Sequence, residues 1–282
     1  MKTSKFFFFL ICSAWILFTY TGIYAGVVSV IHPELPAKPA LKVLFIGNSY
    51  TYVNNLPQMF TELSASGGWT VTADQSTFGG YTLEQHSTDT ATLDKISADN
   101  WDYIILQEQS QFPTIEYYRD NSMYPAARVL DSLIKTQDSE TVFFMTWGRK
   151  YGGQQTIGAY SSPVFADFYE MQNSLRYAYM QIAVELSARV SPVGRAWGLA
   201  LTLDPSVDLW AADNSHPTLK GTYLAACVFY VTLFHESPVG LPYTGGLTTT
   251  DAAFYQNVAY RICTTIEASH VKDTLFLYPV KE

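Results

Sequence analysis

From Leu41 onward the chain alternates short, wholly apolar runs with longer segments in which apolar residues recur every three or four positions. Short apolar runs bounded by polar or glycine-containing stretches fit strands buried on both faces, and the periodic segments fit amphipathic helices packed over them. Five strands are predicted: Lys42–Ile46, Thr70–Gln75, Tyr103–Leu106, Thr141–Thr146 and Arg189–Val193. One helix is predicted to open at Asn55-Leu56-Pro57, where a capping side chain precedes a proline in the first turn. Others are predicted over Thr82–Ser97, Tyr124–Thr136, Asp167–Ser187, Leu219–Phe234 and Asp251–Ala268. Strand and helix in alternation make βαβ units, so the expected fold class is α/β: a three-layer α/β/α, flavodoxin-like, doubly wound parallel five-stranded sheet. Gly148–Pro163 is polar and contains glycine, and is read as a long loop bordering the active site.

Composition narrows the class. The chain has 282 residues, 48% hydrophobic and 15% charged, which suits one globular domain rather than disorder. Its net charge is −8 and no run of Lys or Arg offers the basic surface that phosphate backbones need, so nucleic acid is excluded as a partner. Lys2 and Lys5 precede an apolar stretch from Phe6 to Thr21, and Ala25 supplies a small residue at a cleavage point. Residues 1–25 are therefore read as a signal peptide, with an uncleaved anchor as the alternative because the stretch nearly reaches membrane-spanning length. Cys12 follows Leu10-Ile11 rather than the small residues of a lipid-attachment site. Residues 26–40, with Pro33, Pro36 and Pro39, read as an extended lead-in, and 41–282 as a single catalytic domain with no internal repeat. The organisation implies a secreted or periplasmic protein without stable membrane insertion after cleavage. Cys227 and Cys263 lie in helical segments and are read as buried thiols; no Cys/His cluster has the spacing of a metal site.

Candidate chemistry is sought in the loops that follow the strands, because open parallel sheets bind ligands outside their carboxyl ends. Gly47-Asn48-Ser49-Tyr50-Thr51 follows the first strand; Ser49 there either presents a hydroxyl or caps the next helix. Near the far end, Asp213 and His216 stand three apart before an apolar helix. In a turn that spacing lets the carboxylate accept the imidazole Nδ1–H and leaves Nε2 to take a proton from a serine; the alternative is a capping aspartate and a surface histidine. His86, one turn after Thr82, either leans toward the Gly80 loop or packs on its helix. Trp147 and Arg149 follow the fourth strand, where an indole stacks on a sugar and a guanidinium holds a carboxylate, or where the two serve core packing and surface charge. Glu108 either tunes the site or is solvated.

The spaced blocks resemble the SGNH/GDSL hydrolase superfamily of serine esterases. Its first block, Gly-Asp-Ser, is similar to Gly47-Asn48-Ser49, and its last, Asp-x-x-His, matches Asp213 and His216 residue for residue. Gly80, in Phe78-Gly79-Gly80-Tyr81-Thr82, matches the second-block glycine, with Gly79 as the other register. The third block departs: the family shows Gly-x-Asn-Asp where this chain has Leu106-Gln107-Glu108-Gln109-Ser110, with Gln109 on the asparagine position. The resemblance implies a catalytic triad of Ser49, Asp213 and His216 and an oxyanion hole from the Ser49 and Gly80 backbone N–H groups and the Gln109 amide. Asn48, Gly79, His86, Glu108, Trp147 and Arg149 are expected around the substrate. It requires no metal and no organic cofactor. Branches that remove acyl groups from sugars have similar Gln- and Glu-containing third blocks. The implied function is therefore a secreted esterase of O-acyl, chiefly O-acetyl, groups on carbohydrates, its partner a small-molecule or polysaccharide ester. The alternatives are a catalytically inactive glycan-binding protein of the same fold and a lipid or thioester acyl hydrolase.

Overall fold

The structure, a computed structural model, describes residues 38–269. The segment read as an export signal and most of the lead-in lie outside the described residues. In chain order the elements are β1 (Ala40–Gly47), α1 (Ser49–Tyr52), α2 (Leu56–Ser66), β2 (Thr70–Thr77), α3 (Leu83–His86), α4 (Thr90–Ser97), β3 (Tyr103–Leu106), α5 (Glu116–Tyr118), α6 (Tyr124–Lys135), β4 (Glu140–Phe144), β5 (Gly153–Ile157), β6 (Tyr160–Phe165), α7 (Phe168–Leu186), β7 (Arg189–Ser191), α8 (Val193–Leu203), α9 (Leu219–Phe234) and α10 (Thr249–Ser269). A π-helical turn, Arg119–Met123, joins α5 to α6.

Five strands form one parallel sheet in the order β2-β1-β3-β4-β7, the flavodoxin-like winding. Alternation along the strands divides the core in two. Val43 and Phe45 of β1, with Val142 and Phe144 of β4, pack beneath α2, α8, α9 and α10. Leu44, Ile46, Ile104, Leu106 and Phe143 pack beneath α3, α4, α6 and α7. Both faces are covered, which is why these strands read as continuous apolar runs. Every residue of α9 from Gly221 to Phe234 is buried, so that helix has no polar face. Among the described residues no helix is long and apolar enough to cross a membrane.

Three details differ from the sequence reading. The helix expected over Thr82–Ser97 is two helices, because it starts twice. Thr82 and Gln85 form a reciprocal capping box at α3, and Asp89 accepts the Thr92 N–H to open α4. The last strand stops at Ser191, and α8 begins where a strand end was expected. Gly194 and Gly198 weaken the helical signal there, yet a Cβ on Gly194 would stand 2.1 Å from the Thr146 carbonyl oxygen, so close packing on the segment leaving β4 requires the glycine. The Gly148–Pro163 segment is not a plain loop: β5 and β6 form a hairpin turning at Gly158-Ala159, with Gly158 at φ +55°. Gln111 Nε2 donates to Gln155 Oε1 at 3.2 Å and Tyr118 Oη to the Ile157 carbonyl at 3.2 Å, which fastens the hairpin to the segment after β3.

Candidate active site

The turn that carries Ser49 is held from both neighbouring strands. β1 ends at Gly47 and β3 at Leu106, paired one residue earlier through Ile46 and Leu106, so Gln107 lies beside the turn. Its side chain is fully buried. Gln107 Oε1 accepts the Asn48 N–H at 2.8 Å and the Thr51 hydroxyl at 3.0 Å, while its Nε2 donates to the Glu108 carbonyl at 2.6 Å. A Cβ on Gly47 would meet Gln107 Oε1 at 2.5 Å and Thr51 Oγ1 at 2.7 Å, so only glycine lets the chain pass. Asn48 Oδ1 accepts the Tyr50 N–H, and Asn48 Nδ2 donates to the Tyr81 carbonyl at 2.8 Å, tying this turn to the loop after β2. Ser49 then stands at the first position of α1, where a backbone N–H has no partner within the helix.

Asp213 and His216 occupy a closed turn. The Ala211 N–H donates to the His216 carbonyl at 2.8 Å, the Asn214 N–H to the Ala211 carbonyl at 2.9 Å, and Asn214 takes φ +59°. Asp213 Oδ1 accepts the N–H groups of Ser215 (3.0 Å) and His216 (2.9 Å), and Oδ2 accepts from His216 Nδ1. On the other side of the ring, His216 Nε2 lies 2.8 Å from Ser49 Oγ. With Nδ1–H given to the carboxylate, Nε2 is the acceptor for the serine hydroxyl. Burial opposes ionisation of Asp213, but the His216 ring and the two backbone N–H groups outweigh it and hold its pKa at about 2. The His216 and Asp213 side chains are 37% and 49% exposed, so the group opens onto solvent.

Behind it stands an aromatic wall. The Tyr50 ring stacks on Trp147 (centroids 4.5 Å apart, planes within 3°) and meets His216 edge-on at 5.6 Å. Trp147 stacks in turn on Trp197 of α8, and its Nε1–H donates to the Ser215 carbonyl at 2.9 Å. The Tyr50 hydroxyl lies 2.7 Å from Ser215 Oγ and accepts from Arg149 Nη1 at 2.6 Å, while Arg149 Nη2 donates to Ser110 Oγ at 3.0 Å.

Gly79 and Gly80 are exposed in the loop after β2, Gly80 at φ +73°. Gln109 Oε1 accepts the N–H groups of Gln111 (2.7 Å) and Phe112 (3.2 Å), and Nε2 donates to Gln111 Oε1 at 3.3 Å. Beneath both loops lies Glu108, fully buried. Its Oε1 accepts the Leu83 N–H (3.2 Å) and the Gln109 N–H (2.6 Å), whereas Oε2 has no partner among the described residues. Burial pushes the Glu108 pKa up to about 8 against the pull of those two N–H groups, with the nearby Glu84 charge adding to the rise.

Four residues expected around the substrate lie behind the surface instead. Asn48, His86, Glu108 and Trp147 are all buried, and each braces a loop. His86 Nε2 donates to the Gly47 carbonyl at 2.8 Å and Nδ1 lies 2.9 Å from Thr92 Oγ1. Burial lowers its pKa, favouring the neutral ring with the proton on Nε2. Conversely, Gln107, Tyr50, Ser110 and Ser215 were not singled out by sequence reasoning. The available signal was positional, since Gln107 follows β3 at the offset at which Gly47 follows Ile46 in β1.

No family model and no curated sequence matches the chain. Solved structures do. A DUF4886 family protein from Bacteroides uniformis superposes with a TM-score of 0.67 at 20% identity, covering 81% of this chain and 96% of that one. A proposed SGNH hydrolase from Slackia heliotrinireducens superposes with a TM-score of 0.57 at 23% identity, covering 69% of this chain and all of that one. The fold is that of the SGNH hydrolases. On this SGNH fold, Ser49 stands at the carboxyl end of β1 and meets the Asp213–His216 turn that precedes α9, and the loops after β2 and β3 flank it.

Proposed function

We propose that the chain is a serine ester hydrolase of the SGNH type, removing O-acyl groups, chiefly acetyl, from carbohydrates outside the cytoplasm. The observation that carries the reading is the 2.8 Å separation of His216 Nε2 from Ser49 Oγ, with Nδ1 of the same ring on Asp213. In that arrangement His216 takes the serine proton as Oγ bonds to the ester carbonyl carbon. Collapse of the tetrahedral adduct breaks the ester C–O bond, His216 returns the proton to the leaving alcohol, and an acyl-serine remains. Water, deprotonated by the same ring, then releases the acid. Charge on the carbonyl oxygen is met by the N–H groups of Ser49 and Gly80 and by the Gln109 amide, contacts commonly worth about 3 kcal/mol each. The carbonyl end of Gln109 is pinned by two backbone N–H groups, which fixes the orientation of its donor end. A triad this exposed suits a bulky polar alcohol; long acyl chains call for an enclosed apolar channel.

Hydrolysis of a short-chain chromogenic acetate and of acetylated oligosaccharides tests the reading. The purified protein turns both over, and Ser49→Ala, still folded, loses at least about 10⁴-fold. Activity confined to long acyl chains refutes deacetylation, and a folded wild type inert to every ester refutes the hydrolase.

A further inference from the structure

We propose that Arg149 is a recognition site for a carboxylate carried by the substrate, so that the preferred esters are acidic; the inference rests on the esterase reading above. Arg149 follows β4 on the carboxyl edge of the sheet and donates to the hydroxyl of Tyr50, the residue after Ser49. That hydroxyl is 2.7 Å from the Ser215 hydroxyl, on the residue before His216. The cation is therefore joined to the Ser49 side of the contact through Tyr50 and to the His216 side through Tyr50 and Ser215.

Its partners are unlike those of three other arginines. Arg119, Arg128 and Arg189 each meet a carboxylate, at 2.8, 2.5 and 2.8 Å. The chain holds 25 acidic residues against 17 Lys and Arg, so carboxylates are in surplus. Yet among the described residues none lies within 4 Å of the partly buried Arg149 guanidinium, which meets the neutral hydroxyls of Tyr50 and Ser110 and, 6.0 Å from its centroid, the Tyr50 ring. A guanidinium has five N–H donors, so three remain uncommitted to protein groups, along with the full charge. Bracing Tyr50 does not require a permanent cation, because that ring is already stacked on Trp147 and wedged against His216. A planar, donor-only fork bonded to the residue that follows the nucleophile matches a carboxylate, which accepts two parallel hydrogen bonds from it. The Ser110 and Tyr50 hydroxyls lie where they add to the same recognition.

Two matched pairs test this: acetylated methyl glucoside against acetylated methyl glucuronide, for a carboxylate on the alcohol, and 4-nitrophenyl butyrate against 4-nitrophenyl hemisuccinate, for one on the acyl group. The full chain is expected to show kcat/KM about 10- to 100-fold higher for the acidic member of at least one pair, carried mainly in KM and reduced by added salt. Arg149→Met lowers acidic turnover far more than neutral turnover, bringing the ratio close to one, and Arg149→Lys keeps part of the preference. Neutral turnover with no acidic preference in either pair overturns the proposal and leaves the esterase reading intact, as does a preference that persists in folded Arg149→Met. Should Arg149→Met not fold, the wild-type ratios and their salt dependence decide. A wild type inert to all esters overturns both.

Discussion

Glu108 makes the stability of this protein fall as the solution becomes more alkaline, and one substitution isolates the effect. Its carboxyl is fully buried and its pKa lies at about 8, against an ordinary value of 4.5. Between those two values the folded protein holds a proton that the unfolded chain has released, so stability is complete below about pH 4.5 and declines up to about pH 8. The slope approaches 1.4 kcal/mol per pH unit, which amounts to about 3–4 kcal/mol between pH 5 and pH 8. Glu108→Gln removes the slope with little change of shape. Its amide oxygen still accepts the Leu83 and Gln109 N–H groups, and its NH₂ takes the place of Oε2, which has no partner among the described residues to lose. Urea unfolding of both proteins at pH 5, 6, 7 and 8 reads the outcome. The gap in unfolding free energy between variant and wild type should move by about 3–4 kcal/mol in favour of glutamine across that range, since every other titrating group is common to the two. A gap that stays constant with pH refutes the reasoning. The same ionisation places a negative charge behind the Gln109 loop, so wild-type kcat should decline through about pH 8 while the variant's does not.

Other expectations follow from the turn and the triad. Gly47→Ala places a methyl 2.5 Å from Gln107 Oε1, an oxygen that already holds the Asn48 N–H, so neither can retreat without breaking the Ser49 turn. A loss of about 1–3 kcal/mol by thermal unfolding should accompany a drop in kcat/KM, and an unchanged protein contradicts the packing. Asp213→Asn keeps an oxygen for the Ser215 and His216 N–H groups but removes the carboxylate from Nδ1. Activity should fall by about 10²–10⁴-fold with melting nearly unchanged, because the side chain is half exposed; near-normal kcat sinks the proposed role of the pair.

What the sequence disclosed and what it withheld divide along a physical line. The strands were legible because burial on both faces leaves an uninterrupted apolar run, and the Asp213–His216 contact because both residues lie in one turn of chain. Gln107 was not legible: its bond to the Asn48 N–H spans 59 positions and exists only because β3 lies beside β1 in matched register. For two residues whose role the sequence left open, the choice turned on elements it did not predict. Trp147 was open to a sugar-facing reading because α8 was absent from the prediction, and the indole is stacked between Tyr50 and Trp197 of α8. His86 reads as a mid-helix residue until the chain breaks after it; the restart at Asp89 brings Thr92 onto its ring while the other nitrogen reaches the Gly47 carbonyl. Residue type thus announces which chemistry is available, but whether a side chain faces substrate or braces the turn behind it depends on the neighbour that covers it. Arg149 follows the same rule from the opposite side, because among the described residues no neighbouring element supplies a carboxylate to it.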